Sequence, residues 1–506
     1  MKFIPLFVLL LLLYACSDAP PLVPETKTDF CSAIHRNNSL SLSSELLPFT
    51  DLLKTKTGVY VLEDGGTSMI ARAWLSEYAE KTIDIQYFIF STDNVGLIAC
   101  DYLVRAADRG VKVRILIDDI LVDAGPYEIL TLDSHDNIEI RIYNPGVNLG
   151  KNIVQKAGKF LTDFKGANQR MHNKTFNVDG KVVITGGRNI ADEYFDYDHE
   201  YNFRDRDVLL MGKEVNTVAS SFEIFWKSAL SLPVTALVSD EETKQRAPDR
   251  FDRLHRYACD PQNFWPQVRD RIKQLPQAFK QINKSGQIQW LDSVNFIADV
   301  PGKMTSDQDL SNTTSALLSL LRHAKKSIDI QSPYLVTTNE VRAVFKAAIK
   351  RGVKIRILTN SLASTDNLEA FSGYKRDRKA LLNTGVRVFE FKPDAKVRYE
   401  IMTGALQKKI NYAPVFGLHA KTMVIDGHIT VIGTYNLDPR STNLNTECVT
   451  IIHSKEVAGT VLKGMETEFL PENAWETTLQ SNPDEYAGKI KRIKALSRRA
   501  VPKGIL

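Results

Sequence analysis

The sequence predicts an α/β protein made of two tandem copies of one unit, each a mixed, mainly parallel sheet flanked by helices. Three observations predict it. Ala79-Glu-Lys-Thr-Ile-Asp-Ile-Gln86 returns as Ala324-Lys-Lys-Ser-Ile-Asp-Ile-Gln331. Ala106-Ala-Asp-Arg-Gly-Val-Lys-Val-Arg-Ile-Leu116 returns as Ala348-Ile-Lys-Arg-Gly-Val-Lys-Ile-Arg-Ile-Leu358, each a helix ending at a glycine and followed by an apolar strand. Between the matching runs, strand and helix patterns alternate, as they do when parallel strands are joined by crossover helices.

At the start of the chain, Met1-Lys2 precedes an apolar run from Phe3 to Ala15 that ends at Cys16, the outline of a signal peptide. Leu13-Tyr14-Ala15-Cys16 resembles the bacterial lipobox, in which Cys16 becomes the lipidated residue. An ordinary cleaved signal or an uncleaved anchor fits the same run, which falls short of the roughly 20 residues that span a bilayer. Ser17 resembles an outer-membrane sorting signal, with Asp18 beside it. The expectation is a protein of the cell envelope, lipid-anchored and facing the periplasm, with the outer membrane as one destination. Residues 1–16 are then the signal with its lipobox and residues 17–46 a tether.

The first unit, residues 47–237, has a strand at Ile83 to Phe90, a helix over about Gly96 to Arg109, and strands at Val111 to Ile117 and Ile138 to Tyr143. Residues 238–287 are rich in charge, aromatic residues and proline (Pro248, Pro261, Pro266, Pro276), which suits a helical connector. The second unit spans residues 288–475, where Val386 to Phe391 matches Ile138 to Tyr143. A basic tail, residues 476–506, carries Lys489-Ile-Lys-Arg-Ile-Lys494, Arg498 and Arg499, which suits either attraction to anionic lipid or a solvated helix end.

At 506 residues and 43% hydrophobic composition the chain is too long for one core. Its 65 basic and 60 acidic side chains nearly balance, so charge makes no case for nucleic acid as partner. After Cys16, four cysteines remain (Cys31, Cys100, Cys259, Cys448) and permit three complete pairings in an oxidising compartment. Cys100 and Cys448 lie in apolar runs that suit buried free thiols better.

Each unit carries one short signature: His172-Asn-Lys174 with Asp179, and His419-Ala-Lys421 with Asp426 at the same spacing. On a strand, residues two apart face one side, so each histidine and its lysine point into one site. Asp179-Gly180 and Asp426-Gly427 then turn into short strands, Val182 to Thr185 and Ile429 to Ile432. These end in Gly186-Gly187-Arg188-Asn189 and Gly433-Thr434-Tyr435-Asn436, with an asparagine at matching positions. A phosphoryl centre needs a nucleophile, an acid for the leaving oxygen and cationic donors for the non-bridging oxygens. Two histidines and two lysines supply that set. Neither clustered carboxylates nor cysteine–histidine spacing argues for a metal, and no cofactor is expected.

With both motifs complete, the chain resembles the phospholipase D superfamily, whose two motifs meet at the interface of the halves in one shared active site. The resemblance implies that His172 is the nucleophile forming a phosphohistidine and His419 the general acid and later base. Lys174, Lys421, Asn189 and Asn436 would bind the phosphate oxygens. It also implies a carboxylate behind each histidine, reaching across from the other half: Asp205 for His419, with Asp207 as competitor, and Glu447 for His172. Asp179 and Asp426 complete the signature and are counted with its catalytic set, but turn aspartates commonly bond their own backbone, so a structural role is expected of them ahead of proton transfer.

Arg170-Met-His-Asn-Lys-Thr-Phe176, Gly186-Gly-Arg-Asn-Ile-Ala-Asp-Glu-Tyr-Phe195, Phe225-Trp-Lys-Ser228, Ser332-Pro-Tyr334 and Asn436-Leu-Asp-Pro-Arg-Ser441 are similar to bacterial cardiolipin synthases of the class without multiple transmembrane segments. That resemblance implies a phosphatidyltransferase acting on phospholipids at a membrane, most simply cardiolipin formation from phosphatidylglycerol and a second phospholipid. The alternatives are hydrolysis to phosphatidic acid or a secreted phosphodiesterase or nuclease; intact motifs argue against a mere binding module. Thr434, where the family has serine, and Tyr435 depart from the pattern. With both motifs in one chain, no obligatory protein partner is inferred.

Overall fold

The computed structural model describes residues 31, 41–121, 126–146, 148, 168–238, 249–284, 286–303, 311–402 and 414–505. Cys16, the lipobox and most of the tether lie outside the described residues.

The first sheet is built from β1 (Thr57–Leu62), β2 (Thr82–Tyr87), β3 (Lys112–Asp118), β4 (Ile138–Tyr143), β5 (Thr175–Val178), β6 (Val182–Gly186), β8 (Asp207–Gly212), β9 (Ser231–Pro233) and β10 (Gln289–Leu291). A short strand, β7 (Tyr201–Arg204), stands outside it. The second sheet takes β11 (Val294–Ala298), β12 (Ser327–Gln331), β13 (Lys354–Asn360), β14 (Arg387–Phe391), β16 (Thr422–Ile425), β17 (Ile429–Gly433), β18 (Cys448–His453) and β19 (Ala474–Thr477), with β15 (Val415–Leu418) outside. The orders are β10-β1-β8-β6-β5-β2-β3-β4-β9 and β11-β18-β17-β16-β12-β13-β14-β19. Apart from β10, one order maps onto the other strand for strand, so the repeat read in the sequence is a repeat of topology.

The sheets are mixed, but they are not mainly parallel. Among the described residues, parallel pairing within them is confined to β2–β3–β4 and β12–β13–β14. The crossover helices that dominate the sequence pattern serve only those strands. The remaining strands are joined by tight turns or return along an edge, and a three-residue glycine-containing turn such as that between β5 and β6 can only reverse direction.

Local signals explain the crossover helices. Asn94–Asp108 starts on Asp93, whose side chain accepts from Gly96 N–H at 3.0 Å, and Asn339–Lys350 starts on Thr338, which accepts from Val341 N–H at 3.2 Å. Both are followed by a left-handed glycine, Gly110 at φ 92° and Gly352 at φ 88°. No atom crowds either position, so backbone conformation alone calls for glycine there.

Each sheet is buried on both faces. The outer faces pack under helices, with Leu75, Ile98 and Leu103 against Ile83 and Ile115 in the first half, and Leu321, Phe345 and Leu381 against Ile328 and Ile357 in the second. The inner faces meet in a third core that includes Val183, Val208 and Leu210 from one half and Val424, Ile432 and Ile452 from the other. That is why β5, β6 and β16 read as continuous apolar or neutral runs without alternation.

Beyond the first half, helices Asp249–Ala258, Pro266–Lys273 and Ala278–Lys284 pack on its outer layer, where Phe279 stacks on Trp74 with ring centroids 5.0 Å apart. Cys259 forms a disulfide with Cys31, 228 residues earlier. Cys100 and Cys448 are free thiols, the first half-buried and the second buried. Among the described residues, no helix is long and apolar enough to cross a membrane.

Candidate active site

The halves are stitched together by backbone at two related places. β7 of the first half pairs in parallel with β15 of the second, so that Arg204 C=O accepts from His419 N–H at 2.8 Å and Ala420 N–H at 2.9 Å. On the other side, His172 N–H donates to Thr446 C=O at 2.9 Å and Thr446 N–H donates to Arg170 C=O at 2.9 Å. Each motif histidine is therefore fixed against the residue that immediately precedes a carboxylate of the other half: Arg204 before Asp205, and Thr446 before Glu447.

The side chains follow. His172 Nδ1 lies 2.8 Å from Glu447 Oε2, and His419 Nδ1 lies 2.6 Å from Asp205 Oδ2. All four side chains are buried. A carboxylate at Nδ1 holds the proton there and leaves Nε2 with its lone pair, the tautomer a nucleophile or base requires. Asp207, the competitor for His419, is committed elsewhere: it accepts from Arg72 at 2.9 Å and Ser68 at 2.8 Å inside the first half.

Glu447 is held by a second set of contacts. Thr434 Oγ1 donates to its Oε2, Ser441 Oγ donates to Oε1 at 2.8 Å, and its own N–H donates to Asp299 at 3.1 Å. The departure at Thr434 thus has a definite place, orienting the carboxylate behind His172. In the first half the matching residue is Gly187, where a Cβ would stand 2.1 Å from Asp205 Oδ1. Asp205 occupies the space that a side chain would need. Ser441 stands in a quoted motif without an assigned role, and Asp299, just beyond the end of β11, carries no local sequence signal.

Lys174 Nζ donates to His172 C=O at 2.9 Å and Lys421 Nζ to His419 C=O at 2.6 Å. Both ammonium groups are buried in one site, which is electrostatically costly. Burial, followed by the Lys421 charge, pushes Lys174 down to about 7. Burial pushes Lys421 down to about 8 against the pull of Asp205 and Glu447. Burial also lowers both histidines below their ordinary value, His419 further by the Lys421 charge, so both imidazoles are neutral at neutral pH. Although burial opposes it, Asp205 and Glu447 are held below the usual carboxylate range by their histidines and hydrogen bonds.

Asn189 accepts from Ile89 N–H at 3.1 Å, and its side chain also bonds Tyr194, whose ring stands 5.0 Å from the His419 ring. Asn436 is buried with its side-chain oxygen unpaired among the described residues. Phe88 packs edge-on to His172 at 5.0 Å and lies 5.5 Å from Lys174 Nζ. Aromatic walls thus limit water around both histidines, which strengthens every charge interaction between them.

The aspartates of the signature are not in this site. Asp179 and Asp426 sit at the far ends of β5 and β16, in the left-handed region at φ 54° and 55°. Asp179 accepts from the N–H groups of Glu80, Lys81 and Thr82 at 3.0, 2.7 and 2.9 Å. Asp426 does the same for Lys325, Lys326 and Ser327, the matching residues of the repeat. Given the rise of an extended chain, each lies ~20 Å along the strand from its histidine. They fasten the entry of β2 and β12 to the hairpin, so their place in the catalytic set is corrected to a structural one.

The family model described as "Cardiolipin synthase, PLD-like domain" matches residues 76–226 and 317–469. Cardiolipin synthase C of Escherichia coli strain K12 is 34% identical over 418 residues, covering 82% of this chain and 86% of that protein. An uncharacterized protein of Helicobacter pylori strain J99 is 34% identical over 402 residues, covering 79% and 76%. Among solved structures, phosphatidylserine synthase of Haemophilus influenzae Rd KW20 shares the fold with a TM-score of 0.57 at 13% identity, over 92% of this chain and 100% of that one. Both matched segments contain one complete histidine–lysine motif, and the chain belongs to the phospholipase D superfamily, within its family of cardiolipin synthase-type phosphatidyltransferases.

Proposed function

We propose that the chain transfers a phosphatidyl group between phospholipids through a phosphohistidine, and that its product is cardiolipin. The observation that carries this reading is the crossed pairing of two buried histidines with two carboxylates, beside two buried lysines. Similarity to cardiolipin synthase C supports the lipid assignment.

In the first step His172 Nε2 attacks the donor phosphorus, the P–O bond to the head group breaks, and His419 gives its Nε2 proton to the leaving oxygen. Lys174 and Lys421 balance charge on the non-bridging oxygens, and the amide groups of Asn189 and Asn436 donate hydrogen bonds to them. His419 is neutral in the unliganded site, so the proton it donates enters with the phosphate anion, which favours the imidazolium. In the second step a hydroxyl of phosphatidylglycerol loses its proton to His419 and attacks phosphorus, and the P–N bond breaks to release neutral His172. Head-group alcohol leaves in the first step: glycerol from phosphatidylglycerol, ethanolamine from phosphatidylethanolamine. Water in place of the acceptor gives phosphatidic acid. The same reading places the chain at the face of an envelope membrane, held through Cys16.

The test is mass spectrometry of lipids after incubation with phosphatidylglycerol, with and without phosphatidylethanolamine, beside His172→Ala. Cardiolipin that requires His172 is the expected result. Phosphatidic acid alone replaces the synthase by a lipase, and no turnover by folded protein overturns the lipid assignment.

A further inference from the structure

We propose that the C-terminal helix Lys489–Ser497 seats the second half on an anionic phospholipid surface beside the entrance of the active site. The inference rests on the lipid reading above only for the role of the contact, since the contact itself can be measured without turnover.

One face of this helix belongs to the protein. Ala495 on the helix, and Ala487 just before it, are buried in the core of the second half. Between them Lys491 Nζ donates to Ala363 C=O at 3.0 Å and Thr365 C=O at 2.7 Å. The opposite face is open. Ile490, Ile493 and Leu496 are 72%, 67% and 50% exposed, at the three-residue spacing that aligns side chains on one side of a helix. Leu479 and Tyr486, on the preceding segment, are also exposed. Isolated exposed apolar residues are ordinary, but here five large ones fall within eighteen positions.

The surrounding charge selects the occupant. Lys489 and Lys494 are exposed and Arg492 half-exposed, and among the described residues none of the three forms an ion pair. Lys489 stands on the outward face in line with Ile493 and Leu496. The centre of a protein–protein interface is depleted of lysine because the ammonium must be desolvated. At a bilayer surface the lysine stem lies along the apolar layer while its head reaches anionic phosphate, so the mixture that weakens a protein interface strengthens a lipid one.

The position is equally specific. Lys491 holds the helix to the Ala363–Thr365 loop, and Tyr201, from the first half, donates to Ser364 C=O in that loop. The next residue, Asp366, accepts from Tyr334 OH at 2.7 Å and lies within the field of the active-site Lys421. A helix resting on lipid thus adjoins the loop that borders the lysine of the second motif, which shortens the path of a lipid from bilayer to site.

The test uses the full chain carrying His172→Ala and Ile493→Cys, with an environment-sensitive fluorophore on the introduced thiol. Vesicles of phosphatidylglycerol and of phosphatidylcholine are compared. Any anchor acts on both alike, so the expected result is a blue shift with quenching by lipid-borne quenchers on phosphatidylglycerol only, and a roughly 30-fold weaker affinity for these vesicles in Lys489→Gln/Lys494→Gln. The same fluorophore attached through Leu47→Cys should not respond. No shift on phosphatidylglycerol overturns the inference, as does a shift without vesicles that tracks self-association. In the otherwise wild-type chain, Lys489→Gln should leave turnover of a soluble short-chain phosphatidyl substrate unchanged while slowing turnover in vesicles. A chain that seats on lipid yet turns none over refutes the enzymatic reading and leaves this one standing.

Discussion

Replacing Glu447 by Gln separates the roles of the two histidines. The carboxylate is fully buried and accepts from His172 Nδ1, Thr434 Oγ1 and Ser441 Oγ. Gln keeps the size but offers one acceptor oxygen, so its NH2 group must face some of these donors. If that group faces His172, the imidazole must accept at Nδ1 and carry its proton on Nε2, where the nucleophilic lone pair is needed. Losing one charge-assisted hydrogen bond costs about 1.5–3 kcal/mol, or about 10- to 150-fold in rate. Reversing the tautomer adds to this, and in the serine-protease triad the matching substitution costs about 10,000-fold. The expected loss in Glu447→Gln is therefore between about 100- and 10,000-fold in phosphoenzyme formation.

The assay is a rapid-quench measurement of phosphoenzyme with two donors, a natural phospholipid and a phosphodiester with a nitrophenol leaving group. Nitrophenol departs without a proton. Asp205→Asn impairs the acid and should slow formation on the natural lipid by about 100-fold or more, yet recover most of it with nitrophenol. Glu447→Gln impairs the nucleophile and should recover little. The opposite pattern exchanges the two histidines, and a Glu447→Gln rate within about 3-fold of the parent refutes the orienting role altogether.

Three further perturbations follow from the same geometry. Because Lys174 and Lys421 lose their protons at about 7 and 8, affinity for a phosphate mimic such as tungstate should be full below about pH 6 and fall as pH rises from about 6 to 9; titration calorimetry measures it, and a flat profile over that range refutes the shifts. Gly187→Ala should drive a methyl group against Asp205 and cost about 100-fold in turnover of the folded protein, since displacement by about 1 Å has that effect on a reacting constellation, together with about 1–3 kcal/mol of stability from overpacking. Asp179→Ala should cost stability alone: it removes three backbone contacts and leaves alanine at positive φ, costing about 2 kcal/mol of stability, while the folded fraction keeps its rate of phosphoenzyme formation. Asp179→Asn, which tolerates that backbone better, should be milder in thermal melts.

What the sequence displays depends on the range of each interaction. The histidine–lysine spacing, the glycine turns and the repeat are local, and His172, Lys174, His419 and Lys421 are legible from them. The partners of the histidines are not, since 214 residues separate Asp205 from His419 and 275 separate His172 from Glu447. That crossed pairing is reachable only through resemblance to a family. Sheet direction is misread because the strand–helix–strand runs are long and conspicuous, whereas the antiparallel strands are short and mostly buried on both faces, where the alternation that marks a half-buried strand disappears. Thr434 is visible as a departure, but its role needs Glu447 beside it. Asp179 and Asp426 show the converse: a conspicuous spacing that serves the hairpin and not the chemistry, as the turn chemistry of an aspartate before glycine leads one to expect.

The crossing of the pairs explains why two halves are needed for one reaction. Each half alone holds a histidine whose carboxylate lies in the other half, and a carboxylate whose histidine is likewise elsewhere. Separated, neither imidazole would have a fixed tautomer, and each buried carboxylate would lose the donor that keeps it ionised. The backbone bonds at His172–Thr446 and His419–Arg204 use the amide of each histidine itself, so docking of the halves and orientation of the rings are one event. Chemistry then becomes a property of the assembled interface. The apolar core between the sheets, with Val183 and Leu210 facing Ile432 and Ile452, supplies the free energy of docking that lets so many charged groups stay buried beside it.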